Sequence, residues 1–448
     1  MEEIYLDHSN KFFIDEAIKY NLEKRKSSFQ FQPNHSDTFF FENEQEFYLA
    51  ITSFNTSVAT KNIDLYGNTI SQLFQLFSQI EAIPKSLVVF IQDTEFLPNI
   101  IECLDTLSDD SLKSLLILIQ FMTALSNDLI ESFHRNNILS RIMDIFLQED
   151  RNIPEHIFFN IFGNCCSLNK TIAECFADPL FIKIFNSMNN SDIESQQAAI
   201  FCFHSLTSFY YPPYQMIKPL LLSMKLFIAK VDIEKPDIHF TIFQMIKSIK
   251  NLSTNEEFCH FFIVTATPTL IFSLFRAIPY SYYLCCLKII INSFKVASAE
   301  EIMTYVPFID FDILFHCLNS KNDKLIFHVF ELFLCLIESS ETNMQFLISR
   351  NIFALAASIL EDANYYSKKA IIDFLSFILV NDISNSYSNE MIIEPIIETF
   401  AEIAEYGDNE SNEFVGAVTK LYTLTFDFPE LNQMLEPYVI DEIIDDGI

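Results

Sequence analysis

Sliding the chain against itself by 42 residues brings Phe96, Ile138 and Leu180 into register, with Ile100, Ile142 and Ile184 behind them. The same place recurs at Leu270, Ile313, Ala356 and Ile397, in steps of 86, 43, 43 and 41; the step of 86 covers two repeats, one of them blurred around 218–227. Polar clusters keep the same beat: LSDD at 107–110, QEDRN at 148–152, NNSD at 189–192, VDIEKPD at 231–237, NSKND at 319–323, EDANYYS at 361–367 and YGDNES at 406–411. A fixed period near 42 with helical apolar spacing inside it is the pattern of a stacked helical-repeat array. One such unit cannot bury its apolar face alone, so the chain is constrained to stack its repeats.

Within one period, NDLIESFHRN reads as a short helix, ILSRIMDIFLQ as a second and EHIFFNIFGNCCSLN as a longer third. Only 5 glycines and 15 prolines occur in 448 residues, half of them hydrophobic, which leaves little turn chemistry for a β-sandwich and ample material for burial. The expected fold is all-α: a single right-handed α-solenoid of armadillo-like (ARM/HEAT) repeats of about 42 residues. Residues 1–66 are expected to hold irregular capping helices, including an amphipathic one at 11–26, residues 67–430 about eight repeats, and residues 431–448 an acidic carboxy-terminal tail.

The net charge of −32 is concentrated towards the end, with 15 acidic residues against the single basic Lys420 from Glu390 onward. Such a field repels phosphate backbones, so no direct nucleic-acid binding is expected. The ten cysteines sit inside apolar stretches without a C-x-x-C pair, the pattern of buried, reduced thiols, and the acidic start MEEIYLDHSN has no signal-peptide character. A cytoplasmic or nuclear location is the expectation. The uncharged run FCHFFIVTATPTLIFSLF at 258–275 approaches span length, but TATPT interrupts it and the repeat register continues through it, so no membrane span is expected.

SIKNLSTN and FGNCCSLN place Asn251 and Asn164 near the ends of third helices, with Ser205 and Asn292 in equivalent places. Here the chain resembles armadillo repeats of the karyopherin-alpha (importin-alpha) kind. That resemblance implies a concave groove whose asparagines fix the backbone of an extended bound peptide, helped by a tryptophan one turn earlier. This chain has no Trp; the earlier positions are Asn160, Phe201, Lys247 and Lys288. The glycine that usually separates the first two helices of such a repeat is replaced by residues such as Asn137 and Pro179. Lys24, Arg25 and Lys26 are similar to that family's basic amino-terminal arm, but a capping helix over the first repeat's exposed face is the favoured reading.

The five glycines lie too far apart for a phosphate loop, no zinc spacing is present, and the Cys/His neighbours Cys202 and His204, Cys259 and His260, and His316 and Cys317 fall within apolar helices. No enzyme activity, metal or cofactor is therefore expected. The expected function is a non-enzymatic scaffold or adaptor that binds a basic or extended segment of a partner protein along the groove. Asn164, Phe201, Ser205, Asn251 and Asn292 are the candidate partner-binding residues. Two alternatives stand beside it: a divergent importin-alpha-like nuclear import adaptor, and an acidic assembly platform for a basic protein.

Overall fold

The structure is a computed structural model that describes residues 36–439 apart from 81, 149–150, 234, 384 and 407–410. The expected helix at 11–26 with Lys24, Arg25 and Lys26, and the acidic end from 440 onward, lie outside the described residues. The chain divides between Pro213 and Tyr214 into two compact units. Among the described residues all regular structure is helical.

The first unit opens with α1 (Ser36–Ala59) and α2 (Ile63–Phe77). Two three-helix repeats follow: α3 (Lys85–Asp93), α4 (Phe96–Thr106) and α5 (Asp109–Leu125), then α6 (Asn127–Arg135), α7 (Ile138–Leu147) and α8 (Glu155–Leu168). The unit closes with α9 (Lys170–Asn190) and α10 (Ile193–Thr207). The second unit begins with the pair α11 (Tyr214–Lys230) and α12 (Pro236–Leu252). Three-helix repeats come next: α13 (Glu256–Val264), α14 (Thr267–Leu274) and α15 (Tyr283–Phe294); α16 (Ala299–Tyr305), α17 (Phe311–Leu318) and α18 (Asp323–Ser339); α19 (Glu341–Ser349), α20 (Ile352–Leu360) and α21 (Tyr365–Asn381). It ends with α22 (Glu394–Tyr406), α23 (Asn412–Leu424) and α24 (Pro429–Leu435).

Each unit is an all-α solenoid. The last helix of every repeat packs on the last helix of the next: α2, α5, α8 and α10 in the first unit, and α12, α15, α18, α21 and α23 in the second. These are called the third helices below. The apolar ladder fills the core where expected at Ile100, Ile142, Ile184, Ala356 and Ile397, all at most 1% exposed. At Leu270 and Ile313 it slips by one residue: both are half-buried, and Ile271 and Leu314 take the core position instead. Ile271 is the fifth residue of α14, as Ile100, Ile142 and Ala356 are of their helices.

In three of the five three-helix repeats the first and second helices meet at a left-handed residue, whereas α3 and α4 meet at an extended Thr94 and α16 runs on into a 3-10 turn at Val306–Phe308. Asn137, Ala266 and Asn351 each adopt the left-handed conformation there, with φ of 59°, 50° and 59°. A proline ring holds φ near −65° and cannot take that turn. Pro179, expected to stand in the glycine's place between two helices, instead lies inside the continuous α9, and Pro219 likewise lies inside α11. The latter merger accounts for the blurred repeat around 218–227. Among the described residues no single helix is long and apolar enough to cross a membrane; the run at 258–275 breaks at Ala266 into two helices inclined by 79°.

The polar ladder is made largely of caps for the third helices. Asp192 accepts from Ser195 N–H, Asn322 from Leu325 N–H, Asn364 from Ser367 N–H and Ser411 from Phe414 N–H. Each cap satisfies an amide that the first turn leaves without an intrahelical acceptor. Side chains then tie one repeat's third helix to the next. At the amino-terminal ends, Arg151 Nη1 and Asn152 N–H donate to the Asp109 carboxylate at 2.9 and 3.0 Å, and Ser367 Oγ donates to Asp323 O at 2.9 Å. At the carboxy-terminal ends, Asn164 donates to Gln120 O, Asn292 to Ser253 O and Lys420 to Leu379 O.

Candidate functional site: the third-helix face

The five candidate residues all lie on third helices, three in the first unit and two in the second. Asn164 on α8 is 6% exposed, and its Nδ2 donates to Gln120 O at 3.1 Å and to Thr123 Oγ1 at 3.2 Å at the end of α5. Ser205 on α10 is buried and donates back to Phe201 O at 3.1 Å. Phe201, 8% exposed, lays its ring against Gly163 of α8, so that a Cβ built there would stand 2.5 Å from Cε1. Asn164 and Phe201, two of the positions expected to face a partner in this unit, thus join neighbouring third helices, while Ser205 bonds within its own helix.

In the second unit Asn251 on α12 and Asn292 on α15 are half-buried. Asn292 Nδ2 donates to both Ser253 O and Ser253 Oγ at 3.1 Å, repeating the bond that Asn164 makes. Tyr282 stacks on Phe243 at 4.2 Å and Tyr283 donates to Phe275 O at 2.8 Å, while Tyr210, Tyr211 and Tyr280 stay exposed. Eight cysteines are buried as expected, whereas Cys175 is exposed and Cys285 half-buried.

One turn before the asparagines, the second unit presents a row of basic side chains, of which burial favours the neutral form of His328. Lys247, Lys288, His328 and Lys369 recur at steps of 41, 40 and 41 on α12, α15, α18 and α21. Lys247 Nζ lies 4.8 Å over the Phe243 ring, a cation–π contact. Burial lowers the pKa of Lys288, and the like charges of Lys250 and Lys324 lower it further. Burial raises the Cys285 thiol, against which Lys247, Lys250 and Lys288 all act. Four lysines from three successive third helices therefore share one field.

Beside them, Glu331 receives His328 Nδ1 at 2.7 Å and Lys295 Nζ at 3.3 Å. Burial pushes the Glu331 carboxyl up, but the His328 bond and the Lys295 charge prevail and hold it below its ordinary range. Among the described residues Lys250, Lys288 and Lys324 have no carboxylate within ion-pair distance. Sequence reasoning singled out Lys247 and Lys288 but missed Lys250, Lys324, His328 and Glu331. The recurrence of a basic residue every 40 or 41 residues was the available signal for His328, while Lys250, Lys324 and Glu331 lie off that register.

No protein-family model and no curated protein matches the chain. Among solved structures it is similar to an engineered protein, with a TM-score of 0.62 at 10% identity over 88% of this chain and 97% of that one. It is also similar to a chain from a structure concerned with the phosphorylation switch in the interaction between cadherin and beta-catenin. That likeness has a TM-score of 0.64 at 11% identity over 88% of this chain and 80% of the other. At such identities the likeness speaks to architecture, and the architecture is an all-α solenoid of helical repeats.

Proposed function

We propose that the chain is a non-enzymatic protein-interaction scaffold that holds an extended segment of a partner along successive third helices. The observation that carries this reading is the register of the second unit, where stacked third helices bring equivalent polar positions, Lys247, Lys288 and His328, onto one face. A repeated face of this kind offers one foothold per repeat, which suits a long, thin ligand better than a compact one. The structural neighbours, repeat proteins at low identity, support the same broad class.

Site-specific photo-crosslinking tests it. A photoreactive residue in place of Lys324, exposed on α18, is expected to capture a protein partner, while one in place of Ser273, exposed on α14, is not. Equal capture from both positions, or capture from Ser273 alone, would remove the third helices from the binding surface.

A second reading, an acidic platform for a basic protein, draws on the 15 acidic residues against one lysine from Glu390 onward. Exposed charges are screened beyond about 8 Å at physiological ionic strength, so a partner held that way is expected to leave as salt rises. Retention of a basic partner at high salt would count against this platform.

A further inference from the structure

We infer that the third-helix face of the second unit binds an extended acidic peptide, one whose Asp and Glu side chains meet Lys250, Lys288 and Lys324 in turn. The inference rests on the scaffold reading and gives its partner a chemical class. The chain carries 60 acidic and 28 basic side chains, so a lysine left unpaired is surrounded by opportunity. Elsewhere these opportunities are taken: Arg151 pairs with Asp109 at 2.9 Å, Arg276 with Asp310 at 2.6 Å and Lys368 with Glu402 at 2.6 Å. On α12, α15 and α18 the Glu331 carboxylate is taken up by His328 and Lys295 and acts on Lys288 only at longer range, so that Lys250, Lys288 and Lys324 have no carboxylate within ion-pair distance.

Lys288 sharpens the point, because it is half-buried as well as unpaired. A buried ammonium without a counter-ion costs free energy, and neighbouring ammonium groups add to the cost. An incoming carboxylate relieves both, whereas a basic segment aggravates both. The spacing fits a peptide. Packed helices lie about 8–10 Å apart and a polyproline II chain advances about 3.1 Å per residue with three residues per turn, so one acidic side chain every three residues stays on one face and keeps step with the lysines.

The remainder of the molecule discriminates against longer polyanions. A nucleic-acid strand of many phosphates would extend beyond the lysine cluster into the field of a chain of net charge −32, while a short peptide experiences the local charge within a Debye length.

The test is a titration of the full chain with a fluorescent peptide of about 12 residues bearing Glu at every third position. Sequences with Gln or Lys at those positions, and a single-stranded oligonucleotide of equal charge, serve as comparisons. The acidic peptide is expected to bind most tightly and to weaken as salt rises. Lys250→Glu/Lys288→Glu/Lys324→Glu should reduce its affinity by at least about tenfold. The milder triple Gln variant should show a smaller loss in the same direction should charge reversal disturb folding. Lys218→Glu/Lys230→Glu/Lys235→Glu, on or beside α11, should change little.

Absence of binding, equal binding of the three peptides, indifference to both triple variants, or tighter binding of the oligonucleotide would each overturn the assignment. A partner captured from the Lys324 position by a protein that fails to bind acidic peptide would overturn the acidic class alone and leave the scaffold reading standing.

Discussion

Phe201 lies so close to Gly163 that a Cβ added to the glycine would stand 2.5 Å from Cε1 and 2.6 Å from Cδ1 of the ring. The contact joins α8 to α10, the third helices of neighbouring repeats in the first unit. Gly163→Ala is therefore expected to destabilise the protein by about 1–3 kcal/mol through overpacking. Replacing Phe201 by Leu in the same chain should recover part of the loss, because two residues in contact couple non-additively. Denaturant midpoints of the single and double variants measure this, and strict additivity would dissolve the coupling.

Asn164→Ala removes the amide that donates to both Gln120 O and Thr123 Oγ1 at the end of α5, leaving the buried Gln120 carbonyl with the Thr123 hydroxyl as its one remaining side-chain donor. A loss of about 1–3 kcal/mol is expected. Asn292→Ala, at a half-buried site with the same arrangement against Ser253, should cost less. Thermal melts compare the two, and an unchanged midpoint for Asn164→Ala would show that the bond contributes nothing net.

Ala266 turns α13 into α14 with φ of 50° and no polar side chain to ease the conformation. A left-handed alanine costs about 1–2 kcal/mol, and glycine's greater freedom in the unfolded chain returns about 0.5–1 of this. Ala266→Gly is therefore expected to stabilise by up to about 1 kcal/mol. A lowered midpoint would mean that the methyl packs usefully enough to outweigh the backbone.

Asp382, 4% exposed after α21, is pushed up by burial but receives N–H groups from Tyr387 and Ser388 and the Ser388 and Ser386 hydroxyls, which hold its carboxyl well below the usual range. The folded state thus binds this proton more weakly than the unfolded chain. The stabilisation is complete above the ordinary carboxylate pKa of about 3.9 and fades as pH falls below that towards the lower folded value. Asp382→Asn should lower the melting temperature at neutral pH and flatten the acid limb of the stability curve. A parallel displacement of the whole curve would assign the acid sensitivity to other groups.

A basic nuclear-localisation peptide should bind this chain at least about tenfold more weakly, or about 1.4 kcal/mol, than it binds a tryptophan-bearing karyopherin-alpha. Lysine between aromatic faces gains about 0.5–2 kcal/mol per contact. Here Phe201 is buried against Gly163, and Lys247 and Lys288 bring like charge. Matched titrations at one salt concentration decide it, and comparable affinities would favour import.

Much of the architecture was legible because burial repeats itself in the sequence. The helices at 127–135, 138–147 and 155–168 were readable almost to their ends, since each has its own apolar period and a polar break. The merged helices α9 and α11 were not, because a proline reads as a break in the sequence, whereas Pro179 and Pro219 are each accommodated inside a continuous helix. Asn164 was placed on the right helix and near its end, but the sequence does not reveal that its amide reaches the preceding repeat. The grouping of Lys250 with Lys288 and Lys324 depends on the rotation of three separate helices, a quantity that no single helix encodes.

The bonds that join neighbouring third helices span nearly constant lengths of chain: 42 residues from Asp109 to Arg151, 44 from Gln120 to Asn164 and from Asp323 to Ser367, and 41 from Leu379 to Lys420. Loop-closure entropy depends on that length, and it is the same toll at every rung however long the array becomes. Folding can begin in any repeat and spread to its neighbours without waiting for distant segments to meet. Insertion of a whole period leaves each remaining closure as it was, whereas an insertion of a few residues within a third helix rotates its carboxy-terminal donors away from their acceptors. Such a chain grows or shrinks comfortably only in whole steps.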